Sequence, residues 1–187
     1  MKNSLILQQA PRWHPAPSRQ GSRKILPPLM ASWILEEGSL TQRLRNHFSK
    51  DVTVHLLQQG FGYPPLAEAE ILGLPHPCRV IIREVALMIA GTPLMLARSL
   101  IPRSTIVKAD HRLWRLGAQP LGDILFTHPN LQRPSLEYAR IQLRPGICGL
   151  WSTDRVWSRR SLYTLGEDAP LLVAECFLPA LLQTPLP

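Results

Sequence analysis

Cysteine is scarce in this 187-residue chain, and its three copies, Cys78, Cys148 and Cys176, stand far apart with no CxxC spacing. An odd, dispersed set excludes a disulfide framework and a zinc ribbon, and reads as reduced thiols. The six histidines, His14, His47, His55, His76, His111 and His128, form no HxxxH or HExxH pair, and none stands at ligand spacing from a cysteine or carboxylate. No metal and no cofactor are therefore expected. Long apolar runs are missing too. None approaches the roughly 18 residues of a membrane span. The opening "MKNSLILQQAPRW" has too short an apolar core for a secretory signal. The expectation is a cytoplasmic protein with no integral membrane segment.

Charge is sparse, and acidic charge sparser still. Only 18% of residues are charged against 45% hydrophobic, which points to a globular fold rather than disorder. Thirteen acids face 21 bases, for a net charge of +8. Such a balance suits nucleic acid, an anionic small molecule or plain surface solvation. The basic residues are scattered, with no helix-turn-helix, zinc-finger or RNA-binding signature, so nucleic acid is not expected and an anionic substrate fits better. The length is that of one domain able to bury a core.

Along the chain, residues 1–25 carry Pro11, Pro15, Pro17, Arg12, Arg19 and Arg23 without periodicity, and read as a basic, proline-rich flexible arm before a domain at 26–187. "PPLMASWILEEG" has helical spacing. Ser39 and Gln42 form a capping-box pattern opening a second helix, "LTQRLRNHF". "VTVHLLQQGF" predicts a strand. "GYPPLAEAEILGLPHP" is a proline-broken connection with at most a short helical turn. Residues 79–102 predict a hairpin turning at "AGTP" on Gly91 and Pro93. Residues 101–141 read as mostly helical, and "DRVWSRRSLYTLGEDAPLLVAECFLP" as a second hairpin turning at "LGEDAP". The fold class is α+β: a single domain on an antiparallel sheet of about six strands.

Two charges stand where strand alternation puts apolar neighbours. Arg83 shares a face with Ile81, Val85 and Leu87; Glu175 shares one with Leu171, Val173 and Phe177. An unpaired ion in such a place loses several kcal/mol of solvation, on the order of the penalties for buried charges. The residues leave two readings open: a buried salt bridge, or two charges gripping the ends of a small polar ligand. Two helix starts add free amides that favour an anion, at Leu40 after the Ser39 cap and at Leu121 and Gly122 after Pro120, which suits a first helical position.

The segments "ILEEGSLTQRL", "IIREV", "ARSLIP", "LGAQPLGDILFT", "WSRRSLY" and "PLLVAECFLPA", in that order, resemble the chorismate lyase family from about Trp33 to Ala180. The resemblance implies a ligand buried beneath helical flaps. It also implies conversion of chorismate to 4-hydroxybenzoate and pyruvate for ubiquinone, without metal; a monomer is the separate expectation for the chain. By local motif, Arg83 and the backbone amides of Leu40 and Leu121 would hold the ring carboxylate, and Glu175 would meet the ring hydroxyl. Leu40 stands where the family can carry methionine, a swap that a backbone donor tolerates. Residues 144–156 are longer than the family pattern and the arm is extra. Arg98, in "ARSLIP", is a weaker candidate for the enolpyruvyl carboxylate, with a structural role as its alternative.

Two rivals remain. Effector-sensing domains of some bacterial transcription regulators resemble the lyase fold, so a non-catalytic sensor of a small anionic aromatic is the alternative. The roughly 30 residues before Trp33 are too few for an attached winged-helix domain. A basic nucleic-acid accessory protein would instead bind with steep salt dependence.

Overall fold

The computed structural model of the chain describes residues 4–17, 26–147, 149 and 155–182. Seven antiparallel strands form one sheet in the order β1-β5-β6-β7-β4-β3-β2. They are β1 (His14–Pro15), β2 (Thr53–Gly62), β3 (Val80–Ile89), β4 (Thr92–Pro102), β5 (Leu131–Gln142), β6 (Arg155–Leu165) and β7 (Pro170–Phe177). The helices are α1 (Pro28–Ile34), α2 (Leu40–Phe48), α3 (Leu66–Ile71), α4 (Arg103–Lys108) and α5 (Leu121–Leu125), with 3-10 turns at His111–Arg115 and Pro179–Leu182.

Both hairpins form as the turn chemistry requires. Ala90 and Gly91 take φ of 49° and 79° between β3 and β4, a two-residue turn whose twist matches the flanking strands. Pro93 is not part of that turn; it lies in β4, opposite Met88 where the register shifts. Gly166 and Asp168, at φ 95° and 52°, close the β6–β7 turn. Ser39 caps α2 by accepting from the Gln42 N–H at 3.3 Å. The Gln42 side chain bonds Asn46 Oδ1 instead of reaching back, so only half of the capping box forms.

The 101–141 stretch is only partly helical. Its last third is β5, a full-length strand paired with β6. "LEYAR" favours a helix locally, but pairing with β6 overrides propensity, and Pro134 is tolerated because it sits where the register shifts between Gln132 and Ser135. Pro120 is the N-cap of α5 rather than its first residue.

Two layers cover the two faces of the sheet. On one, Trp33, Ile34, Leu40 and Leu44 pack with Leu87, Met95 and Phe177, and Ile106, Leu113, Leu121 and Leu125 pack with Ile81, Tyr163 and Val173. On the other, Ile6 packs with Ala86, Leu96 and Cys176, and Leu72 with Ile82, Leu100 and Leu172. Each such buried side chain contributes about 1.5–3 kcal/mol by removal of apolar area from water. The segment expected to be a loose arm is in part a piece of this second layer. Ile6 is fully buried, Leu7 bridges to Leu143 and His14 pairs with Tyr138. Residues 1–3 and 18–25 of that segment lie outside the described residues, as do Cys148 and 150–154 of the longer 144–156 stretch.

Candidate active site

Alternation along β3 and β7 turns Arg83, Val85, Leu87, Val173 and Glu175 toward the helical layer, where they line a cavity of about 40 Å³. Ala97 and Ser99 of β4 complete its floor. The starts of α2 and α5 form its roof through Ser39, Leu40, Thr41, Leu121 and Gly122. All four expected ligand-binding positions, Leu40, Arg83, Leu121 and Glu175, therefore face one space. Register explains the spacing: Arg83 stands opposite Ser99 and Ser99 opposite Val173, while Ala97 stands opposite Glu175. The two charges are thus diagonal across β4.

They do not pair with each other. Arg83 is 2% exposed, and its Nε and Nη2 donate to the carbonyls of Gly117 at 3.1 and 2.9 Å and of Gln119 at 2.6 Å. No carboxylate reaches it among the described residues. Burial alone pulls its pKa down to about 10, so it remains a cation at neutral pH, desolvated and without a counter-ion among the described residues. The carbonyls aim the guanidinium and leave Nη1 without a partner among the described residues.

Glu175 meets a different cation. Arg159, directly opposite on β6, donates from Nε to Glu175 Oε2 at 2.6 Å. Arg159 is 1% exposed, and its Nη1 donates to the Glu36 carbonyl at 2.7 Å and to that of Ile34 at 3.5 Å. Burial opposes this cation, but Glu175, Tyr163 and Glu36 outweigh it and hold its pKa above the ordinary value. Glu36 in turn has a lowered pKa: burial pushes it up, and the Gly38 N–H, Arg43 and Arg159 more than offset that. Sequence reading missed Arg159, although it is the cross-strand neighbour of the carboxylate that drew attention.

The roof is closed by close contact between α2 and α5. A Cβ on Gly122 would lie 2.7 Å from Ser39 Oγ, so any other residue here would displace the capping hydroxyl or the helix start. Outside the cavity, Arg45 of α2 grips both oxygens of Asp123 of α5 at 3.1 Å each. The enclosed space is far below the roughly 300 Å³ at which ligand pockets begin. Room for a six-membered ring requires the cavity to widen.

Arg98 does not join the site. Its neighbours Ala97 and Ser99 face the cavity, so Arg98 points through the opposite face. There Nη1 grips both oxygens of Glu68 at 2.8 and 2.9 Å, and Nε lies 3.4 Å from Glu84. Glu84 is fully buried and accepts from Ser4 Oγ at 2.5 Å, the Leu5 N–H at 2.7 Å and Gln58 Nε2 at 2.7 Å. Arg98 thus takes the structural part of its two readings, in a network that fastens residues 4–5 to the sheet. No helix among the described residues is long and apolar enough to cross a membrane.

Comparison with known proteins adds an independent line. The family model described as "Chorismate lyase" matches residues 9–184. The "Probable chorismate pyruvate-lyase" of Methylococcus capsulatus is 43% identical over 160 residues, spanning 83% of this chain and 98% of that protein. The "Chorismate pyruvate-lyase" of Erwinia tasmaniensis is 36% identical over 179 residues, 96% of this chain and 92% of that one. Among solved structures, the effector domain of PhnF from Mycobacterium smegmatis superposes with a TM-score of 0.55 at 13% identity, covering 78% of this chain and 91% of that one. That last likeness is one of fold alone.

Proposed function

Because the chain belongs to the chorismate lyase family, and so is a carbon–oxygen lyase, we propose that it converts chorismate to 4-hydroxybenzoate and pyruvate in the cavity between Arg83 and Glu175. The observation that carries this reading is the state of Arg83: a buried guanidinium, preorganised by backbone carbonyls, with no carboxylate partner among the described residues. A desolvated cation of this kind is stabilised by an anion, and a ring carboxylate supplies one with charge-assisted geometry. Leu40 and Leu121, first residues of α2 and α5, line the same cavity, and in this reading their backbone amides act as supplementary donors. Glu175 Oε1 accepts no hydrogen bond among the described residues and is the acceptor for the ring hydroxyl.

Chemistry follows from holding the ring at both ends. The hydrogen on the hydroxyl-bearing ring carbon passes to the enolpyruvyl methylene, which becomes the methyl of pyruvate. The ring carbon–oxygen ether bond breaks in the same step, its electrons forming the keto group, and the electrons of the broken C–H bond complete the aromatic ring. The atoms of chorismate are all accounted for in the two products, and the step as written uses neither a metal nor a covalent nucleophile. Intramolecular positioning of this sort can lower a barrier by ~7 kcal/mol or more. We read the aromatic product as a ubiquinone precursor and the chain as a cytoplasmic monomer that needs no nucleic acid.

The test is chorismate turnover by the purified chain in the presence of a chelator, with 4-hydroxybenzoate followed by chromatography and Arg83→Ala and Glu175→Ala measured alongside. Turnover by the parent, and its collapse in both folded variants, is the expected result. Absence of turnover, with 4-hydroxybenzoate still protecting the chain against thermal unfolding, would make it a sensor of small aromatic anions instead.

A further inference from the structure

Glu175 could reach the ring hydroxyl only if something stops it from swinging toward Arg83, the uncompensated cation on the same cavity. Its own strand does not do this, since a glutamate side chain has three rotatable bonds, and each rotamer-rich side chain costs entropy to immobilise. Arg159 does. Its Nε grips one carboxylate oxygen, Oε2, at 2.6 Å, while the far side of the same planar guanidinium is held by the carbonyls of Glu36 and Ile34. A rigid fork fixed at one end and bonded at the other sets both the position and the rotation of the carboxylate.

The carbonyl that holds the fork belongs to the roof. Glu36 lies in the connection between α1 and α2, where its backbone oxygen accepts from Arg159 at 2.7 Å and from Arg133 at 2.8 Å. Its side chain bonds the Gly38 N–H at 3.0 Å and Arg43 at 3.1 Å. Three and four residues further on stand Ser39 and Leu40, the cap and first turn of α2 over the cavity. One buried arginine therefore touches the hydroxyl-binding carboxylate on the floor and the root of the roof.

We infer that Arg159 is a positioning residue with two outputs: it presents Glu175 Oε1 to the substrate hydroxyl, and it ties that carboxylate to the α1–α2 connection so that closure of α2 and orientation of Glu175 occur together. Arg159 touches no substrate in this arrangement and lines no part of the cavity; it acts through Glu175 and through the Glu36 carbonyl. The inference rests on the reading of Glu175 as the hydroxyl acceptor.

The experiment compares two ring acids, benzoate and 4-hydroxybenzoate, which share the carboxylate that Arg83 binds and differ only in the group that Glu175 meets. Equilibrium affinities for both, and the dissociation rate of 4-hydroxybenzoate, are measured for the parent, Arg159→Gln, Arg159→Lys, Glu175→Ala and the Arg159→Gln/Glu175→Ala double variant, each checked for a cooperative melt. In Arg159→Gln, the preference for 4-hydroxybenzoate over benzoate should fall at least ten-fold. The double variant should be no worse than Glu175→Ala alone. Arg159→Lys, which keeps a cation but cannot bond floor and roof together, should retain most of the preference and release 4-hydroxybenzoate several-fold faster. If Arg159→Gln folds poorly, Arg159→Lys decides the matter by its release rate. Equal weakening of both acids, or an unchanged preference and an unchanged release rate, overturns the inference. Chorismate turnover by the parent is recorded separately: its absence would strike the lyase reading while the two-acid comparison still decides the role of Arg159.

Discussion

Arg83 and Glu175 face one cavity and yet belong to different partnerships: Arg83 gives its hydrogen bonds to the carbonyls of Gly117 and Gln119, whereas Glu175 takes its ion pair from Arg159. The cavity is consequently electropositive at one end and compensated at the other. An anion is stabilised beside Arg83, and a neutral hydroxyl is accommodated beside Glu175.

Charge at Arg83 gives the first prediction. Ring carboxylates should stabilise the fold and the matching neutral amide should not. At a benzoate concentration 100-fold above its dissociation constant the gain is about 2.7 kcal/mol, or roughly 5–10 °C in Tm for a chain of this size. Benzamide should leave Tm unchanged, and Arg83→Ala should erase the benzoate effect. The pH dependence has a definite sign. Folding lowers the pKa of Arg83 from its ordinary value to about 10, so this group favours the folded state only above that ordinary value, and the contribution is lost as pH falls through about 10. Across neutral pH it is a charged liability that benzoate relieves. The benzoate-induced shift should be flat there and shrink as pH rises through about 10. A thermal melt series over pH checks it.

Gly122 gives the second. In Gly122→Ala the new methyl would sit 2.7 Å from Ser39 Oγ, an overpacking that costs about 1–3 kcal/mol in well-packed contacts. Either the Ser39 hydroxyl turns away and gives up its cap or the two helix starts separate; if they separate, 4-hydroxybenzoate should dissociate faster than from the parent. Ser39→Ala removes the offending oxygen at the cost of about 1 kcal/mol of helix capping. The Ser39→Ala/Gly122→Ala pair should release product more slowly than Gly122→Ala alone. Stopped-flow displacement measures all three.

The pair between Arg45 and Asp123 spans the outer seam of the roof in a bidentate grip, but both side chains are partly exposed. Such pairs contribute about 0.2–1 kcal/mol. Asp123→Asn should therefore accelerate product release only about two- to five-fold. Salt should accelerate the parent by a similar factor and leave the variant unaffected. A salt series on the dissociation rate distinguishes this from a general loosening of the fold.

Residues 4–6 give the fourth. Glu84 is fully buried and depends on Ser4 Oγ and the Leu5 N–H for two of its partners. Hydrogen bonds to a charged group contribute about 1.5–3 kcal/mol each. Removal of residues 1–7 should lower stability by about 3 kcal/mol or more, read as a shift of the denaturant midpoint. Ser4→Ala should account for less than half of it, because the Leu5 amide remains.

Much of this was legible from alternation. Period-two patterning put Arg83 and Glu175 on apolar faces, and both line the cavity. Hairpin counting could have found Arg159 as well. Leu165 and Ala169 close the β6–β7 turn through the Leu165 N–H, and equal steps outward from them end at Arg159 and Glu175. Arg98 kept two readings because local sequence does not weight one face of a central strand over the other when both are buried. β5 was hidden by helix-favouring residues and Pro134, since its strand character comes from β6 rather than from its own composition. The packing of the arm was invisible for the same reason: its partner, Glu84, lies 80 residues away.

Arg83 and Glu84 are successive residues of β3 and point through opposite faces of the sheet, one into the cavity and one into the network with Arg98 and residues 4–5. A slip of β3 by one residue against β4 would exchange them. The cavity would then hold a second carboxylate beside Glu175 and would repel the anion it now attracts, while a guanidinium would be driven among the donors that now surround Glu84. Correct strand pairing is thereby enforced by electrostatics on both sides at once. A sheet misaligned by one residue at β3 would therefore carry mismatched charges on both faces.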